Sequence, residues 1–194
     1  MDQFHQLKKH LANNNFITLT EAKKMGISAM AMSRYVADNK IHRIERGLYT
    51  INLEWLTHPL KKYLPVCFNI PEAVICGISA LTYYDLTDEI EKETWISIPH
   101  AMKLNNKRYR TIRTSGPSYN LGIITHKFGN KRVKIYDLEK TVVDSFKHLW
   151  EEVAFKALKG YLKRKDKNIK KLCDYSRKLR KPLDSIVTAL LADE

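Results

Sequence analysis

Residues 16–51, FITLTEAKKMGISAMAMSRYVADNKIHRIERGLYTI, leave the least freedom to the fold. Thr18 followed by Glu21 is a capping-box pair that opens a helix, with Thr20 as an alternative cap. That helix carries Leu19, Ala22 and Met25 on one face and Lys23 and Lys24 on the other. Gly26 ends it, because glycine takes the left-handed conformation at a helix terminus without a Cβ clash. Ser28 then caps a second helix over residues 29–39. Met32, Tyr35 and Val36 recur at inward spacing, which leaves Ala29, Met30, Ser33, Arg34 and Ala37 outward. Ile41-His42-Arg43-Ile44 alternates as a strand, Glu45-Arg46-Gly47 turns, and Leu48-Tyr49-Thr50-Ile51 returns. Ile41, Ile44, Leu48 or Tyr49 would then cover the helices. An isolated two-strand hairpin is marginal in water, so this one must pack on the helix pair before it.

Upstream, Phe4, Leu7 and Leu11 share one helical face and stop at Asn13-Asn14-Asn15. Three helices and a basic hairpin in about fifty residues have the order of a winged helix-turn-helix, whose second motif helix enters the DNA major groove. On the second helix Arg34 is the strong donor. It can grip guanine or hold a phosphate, and Ser33 can do a little of either, while Ala29 and Met30 can meet only thymine methyls or sugar. Arg43 and Arg46 project from the hairpin, where a wing meets phosphate or minor groove.

Charge supports a polyanion partner without locating it. The 194 residues carry a formal +13, the electrostatic footprint expected of a nucleic-acid binder. Residues 1–50 hold 8 Lys/Arg against 4 Asp/Glu, residues 51–100 hold 3 against 7, and the last 94 are strongly basic. Cys67, Cys76 and Cys173 are odd in number and widely spaced, so they make neither a disulfide framework nor a zinc pattern. There is no apolar leader, and the longest apolar run, residues 73–81, is too short to span a bilayer. A cytoplasmic protein with no membrane association is expected.

The remainder reads mainly as a fold. Residues 55–68 look helical but broken by Pro59 and Pro65. Residues 73–76 are a short apolar strand, followed by a helix carrying Ala80, Leu81, Tyr84 and Leu86. Residues 94–98 alternate as a strand that stops before Pro99. Residues 107–134 read as several strands, antiparallel in part, with turns at Ser115-Gly116-Pro117 and Gly129-Asn130 and a basic outer face. From Leu138 onward the pattern is helical, with Leu138, Val142, Ser145 and Leu149 on one stripe. The expected class is α+β: an N-terminal winged helix-turn-helix, residues 1–54, then a larger α+β domain, residues 55–194, with a mixed sheet flanked by helices.

Signals for catalysis are weak. The chain lacks a Gly-rich phosphate loop, an HExxH and a G-x-S-x-G elbow. Asp137, Glu139, Lys140 and Asp144 could suggest a metal-dependent nuclease. Their spacing suits a helix start better, with Asp137 as N-cap and Glu139 complementing the dipole. No catalytic residue, metal or cofactor is expected. Basic clusters at Lys103–Arg113 and Lys163–Lys171 are either solvated faces or extra polyanion contacts, and the acidic run Asp85–Glu93 is a solvated loop or a contact for a basic partner.

The stretches TLTEAKKMGIS and IHRIERGLYT, in this order with CGISALTYYDL, WISIP and KIYDLEKTVVDSF, resemble AbiEi-type antitoxins of bacterial abortive-infection (type IV) toxin–antitoxin systems. The likeness covers nearly the whole chain, with residues 100–134 the least distinctive. It implies an N-terminal domain that binds inverted repeats in its own promoter and represses the operon. It also implies a C-terminal antitoxin domain, a nucleotidyltransferase-like toxin as functional partner, and a role in phage defence. The matching DNA-facing positions are Ser28, Ala29, Ser33 and Arg34, with Arg43 and Arg46 on the wing. Lys23, Lys24, Lys40, Lys107, Arg108 and Arg110 are further candidates for phosphate contact. The expected partner is double-stranded DNA, bound by a chain that is monomeric in solution and paired on its site. The alternatives are a DNA-targeted nuclease and a plain transcription regulator with a ligand-sensing C-terminal domain.

Overall fold

A computed structural model describes residues 2–105, 108–128 and 131–192. It is α+β and divides into two compact units, residues 1–71 with 127–133, and residues 72–126 with 134–194.

The first unit opens with α1 (Gln3–Asn14), capped by Asp2 and closed by Asn15 at φ 64. Next come β1 (Phe16–Thr18), α2 (Leu19–Lys24), α3 (Ala29–Ala37), β2 (His42–Glu45) and β3 (Leu48–Thr50). The three strands form one antiparallel sheet in the order β1-β3-β2. Strand β1 is not legible in the sequence, because three residues are too few to show a period of two. Its Ile17 is fully buried and joins Leu7, Leu11, Ala22, Ile27, Met32, Tyr35, Ile41 and Tyr49 in one core. Of the second-helix positions expected inward, Met32 and Tyr35 are buried, and Val36 packs partly exposed on the same core.

This unit extends beyond the expected boundary at residue 54. It includes α4 (Glu54–Thr57), a 3₁₀ turn (Lys61–Tyr63), α5 (Leu64–Asn69) and the remote segment 127–133. Aromatic packing is the physical reason. Phe16 lies 5.5 Å from Trp55 and 6.0 Å from Phe68, centroid to centroid, while Phe128 meets Trp55 at 5.1 Å and His58 at 4.5 Å. Phe128 is fully buried there, and burying such a ring contributes about 1.5–3 kcal/mol.

The second unit is built on a five-stranded mixed sheet, order β6-β5-β4-β8-β7, from β4 (Val74–Ile75), β5 (Thr94–Pro99), β6 (Tyr109–Thr114), β7 (Ile123–Phe128) and β8 (Lys131–Tyr136), the adjoining ends of β7 and β8 being the segment counted with the first unit. Strands β4 and β5 are antiparallel, whereas β4–β8 and β5–β6 are parallel. Strand β5 includes Pro99 rather than stopping before it. The missing proline N–H is tolerated because the strand ends there and His100 N–H donates to the Thr114 carbonyl at 2.9 Å. Ser115-Gly116-Pro117 opens a short helix, α7 (Gly116–Asn120), instead of a turn, since proline fits the first helical turn. The expected turn at Gly129-Asn130 lies outside the described residues.

Helices α6 (Gly77–Tyr83), α8 (Leu138–His148), α9 (Glu151–Leu162), α10 (Ile169–Lys178) and α11 (Asp184–Ala192) complete this unit. Leu81, Val142, Leu158, Tyr161, Leu172 and Val187 make their shared core. Among the described residues, no helix is long and apolar enough to cross a membrane.

Candidate nucleic-acid interface

The α2–α3 corner is set by local chemistry. The Glu21 N–H donates to Thr18 Oγ1 at 3.2 Å, while the Thr18 N–H and hydroxyl donate back to Glu21 Oε2 at 2.7 and 2.8 Å. Thr18 is therefore the cap, and the capping box is complete. Partial burial pushes the Glu21 carboxyl up, but the Thr18 hydrogen bonds, helped by Lys131 and His10, hold it below the usual range. Gly26 sits at φ 79, a left-handed conformation that a Cβ would strain. Its carbonyl accepts from the Gln3 side chain at 3.0 Å, which pins the turn to α1. Ser28 Oγ accepts from the Ala31 N–H at 3.1 Å and starts α3.

These constraints fix which face of α3 meets solvent. Ala29, Met30, Ser33, Arg34 and Ala37 are all exposed, while Met32 and Tyr35 are buried. Met30, Ser33, Arg34 and Ala37 fall at i, i+3, i+4, i+7, so they form one continuous stripe. Arg34 reaches outward, its guanidinium carbon 6.0 Å from the Tyr35 ring centroid. Ser28 is also exposed, although its hydroxyl oxygen is already accepting the cap bond.

The β2–β3 ribbon follows directly. Arg46 is exposed in the connecting turn, where Gly47 takes φ 84. Strand β2 carries one extra residue between Arg43 and Glu45 relative to β3, a bulge that increases local twist. Arg43 is exposed, and its Nε donates to the Glu45 carbonyl at 3.3 Å, so it is held along its own strand.

The additional cations divide. Lys23 and Lys24 are exposed on the last turn of α2. Lys40 pairs with Asp38 at 3.1 Å and lies over the rings of Phe4 and Tyr35, so it already has internal partners. Arg108 and Arg110 belong to the second unit, and the Arg110 guanidinium stacks on Trp95 at 5.6 Å. Lys107 lies outside the described residues. The segment 127–133 brings Lys127, Lys131 and Arg132 to the first unit, cations more than seventy residues from the motif in sequence. Lys131 caps the Phe68 ring at 4.5 Å, while Lys127 and Arg132 are exposed. With them the first unit carries 13 Lys/Arg against 5 Asp/Glu, or +8.

Residues 5–52 match the family model described as transcriptional regulator, AbiEi antitoxin. Over these residues the N-terminal unit is similar to the regulator domain of AbiEi antitoxins. The match runs from within α1 to just past β3 and leaves the segments that complete the unit, 53–71 and 127–133, outside it. No match was found among curated proteins.

The carboxylates considered for catalysis lie in the second unit and are occupied. Asp137 caps α8 through the Lys140 N–H at 2.8 Å. Lys171 Nζ bridges Asp137 at 3.0 Å and Glu139 at 2.8 Å. Partial burial would lower the Lys171 ammonium, but the two carboxylates hold it above the usual range. Tyr161 donates to Glu139 and Tyr175 to Asp137, each at 3.2 Å. Lys140, almost fully buried, pairs with Asp144 at 2.5 Å.

The basic cluster 163–171 is similarly engaged in part. Arg164 forks onto Asp166 and donates to the Tyr84 carbonyl, while Lys167 donates to the Leu162 carbonyl. In the acidic run, Asp88 pairs with Lys156, and Glu91 accepts from Ser79 at 2.5 Å.

Proposed function

We propose that this chain is the antitoxin of a type IV toxin–antitoxin system and that it represses its own operon. Its N-terminal unit acts as a winged helix-turn-helix on double-stranded promoter DNA, with inverted repeats bound by paired chains. The observation that carries this reading is the exposed stripe of α3 with Arg34 at its centre, followed directly by a ribbon bearing Arg43 and Arg46. The AbiEi-type match over the same residues supports it, and so does the +8 charge of that unit. Phosphate contacts from Lys23 and Lys24 would fix register, while α3 reads base edges.

The second unit serves as the antitoxin part, opposing a nucleotidyltransferase-like toxin from a neighbouring gene, in the cytoplasm of a bacterium under phage attack. The chain is not an enzyme in this reading. The lysine partners of Asp137, Glu139 and Asp144 favour a structural role for those carboxylates over metal-dependent cleavage.

A reporter fused to the chain's own upstream region tests the DNA half. Wild type should repress it, and R34A and R46A should each relieve repression. Undiminished repression by both variants would remove α3 and the ribbon from the interface. Co-expression with the neighbouring toxin tests the other half, and unabated toxicity would refute the antitoxin role. A Mg²⁺ incubation with duplex DNA should leave it intact.

A further inference from the structure

Met30 has no place in the packing of its own domain. It is 83% exposed, the most exposed large apolar side chain among the described residues. Its neighbours on the stripe are Ser33, Arg34 and Ala37, and Ala29 precedes it in the first turn of α3. Ala29 and Ala37 offer no side-chain hydrogen bond and Met30 only a weak thioether acceptor, so three of the five exposed positions are poor readers of donors and acceptors. A helix that enters the major groove contacts base edges mainly through its N-terminal residues. There the thymine C5-methyl is the one apolar group on display.

We infer that Met30, with Ala29 beside it, reads thymine methyls, and that this apolar contact adds base specificity to α3. The inference rests on the DNA reading above. Met30 is suited to the task because its unbranched thioether chain is flexible and polarizable and adapts to an irregular apolar surface. Water is displaced from both the methyl group and the side chain when they meet, and one buried methyl is worth about a four-fold change in affinity. Arg34 lies four residues further on, about 6 Å along the helix axis.

Uracil substitution isolates the contact, because deoxyuridine removes the methyl and leaves every hydrogen-bonding group of thymine in place. The full-length chain is footprinted on its own upstream duplex, and each thymine in the protected segment is then replaced singly by deoxyuridine. Wild type should lose about three- to five-fold in affinity at one or two positions per half-site and little elsewhere. M30A, with its fold verified by circular dichroism, should lose most of the thymine preference at one or more of those positions. Replacing the critical T·A pair by C·G should weaken binding, and 5-methylcytosine there should restore part of the loss. Uracil without effect on wild type, or M30A retaining the thymine preference, would overturn the inference and leave the DNA reading intact. Absence of any protected segment would instead overturn the DNA reading, and the inference with it.

Discussion

Arg34 and Arg46 reach solvent from different backbone environments, a helix stripe and a two-residue turn, and their removal should have different signatures. R34A should weaken operator binding by about 1–3 kcal/mol, with relaxed specificity at one base position if the contact is to guanine. R46A should weaken binding to specific and unrelated duplexes alike, as loss of a phosphate or minor-groove contact does. Titrations against operator and scrambled duplexes separate the two. Acid stability is also decided by single residues. Glu21 is held below its ordinary range when folded, so it contributes stability above its unfolded pKa that is lost as pH falls through the folded value. His148 is pushed down mainly by burial, against the pull of Asp144 and with help from Lys147 and Lys140. Its contribution is complete above about pH 6.5 and declines as pH falls and the unfolded state takes up the proton. Thermal melts from pH 7 to pH 3 should show both losses. E21Q should flatten the lower part of the curve and H148Q the upper part.

Helix α2 depends on its cap because it has only six residues, too few to be stable in isolation. T18A removes an acceptor and the partner of Glu21 together, and should cost about 1 kcal/mol in urea unfolding. Helix α8 is held differently. Its first two turns bury Glu139, Lys140 and Asp144 among α9, α10 and the sheet, and the charges are paired there. Breaking such a pair leaves an uncompensated buried charge, so K140M should destabilise the chain by about 3–5 kcal/mol. The double variant K140M/D144L should recover most of that loss. A K140M protein as stable as wild type would show that Asp144 finds water or another partner. The spacing of residues 137–144 correctly indicates a helix start, but it does not reveal Lys171, which arrives from a helix about thirty residues later.

At the scale of the molecule, total charge and functional charge differ. The formal +13 is spread over both units, yet only contacts that displace phosphate counterions set the salt dependence. Six cationic contacts per module, from Lys23, Lys24, Arg34, Arg43, Arg46 and one further cation, would give a slope of about −5 in log K against log salt. A slope near −10 for one bound chain would require the second unit to touch DNA as well. Truncation is informative for a related reason. A fragment of residues 72–194 retains Phe128 but lacks Trp55 and His58, the rings against which it is buried. That fragment should expose an apolar surface and bind a hydrophobic dye more strongly than the intact chain.

The sequence alone determined the caps, the Gly26 corner and the inward and outward faces of α3, because those depend on neighbours within about four residues. It also placed the ribbon, whose turn is written in Arg46-Gly47. The short strand β1 leaves no such signal, since three residues carry no period and its pairing with β3 spans thirty or more residues. Only the folded chain brings residues 55–71 and 127–133 into the first unit, raising its charge from the +3 of residues 1–54 to +8. Only it showed that Asp137, Glu139 and Asp144 are held by lysines. Local hydrogen bonds are encoded in adjacent residues, whereas aromatic stacking and buried ion pairs join side chains that sequence spacing does not relate.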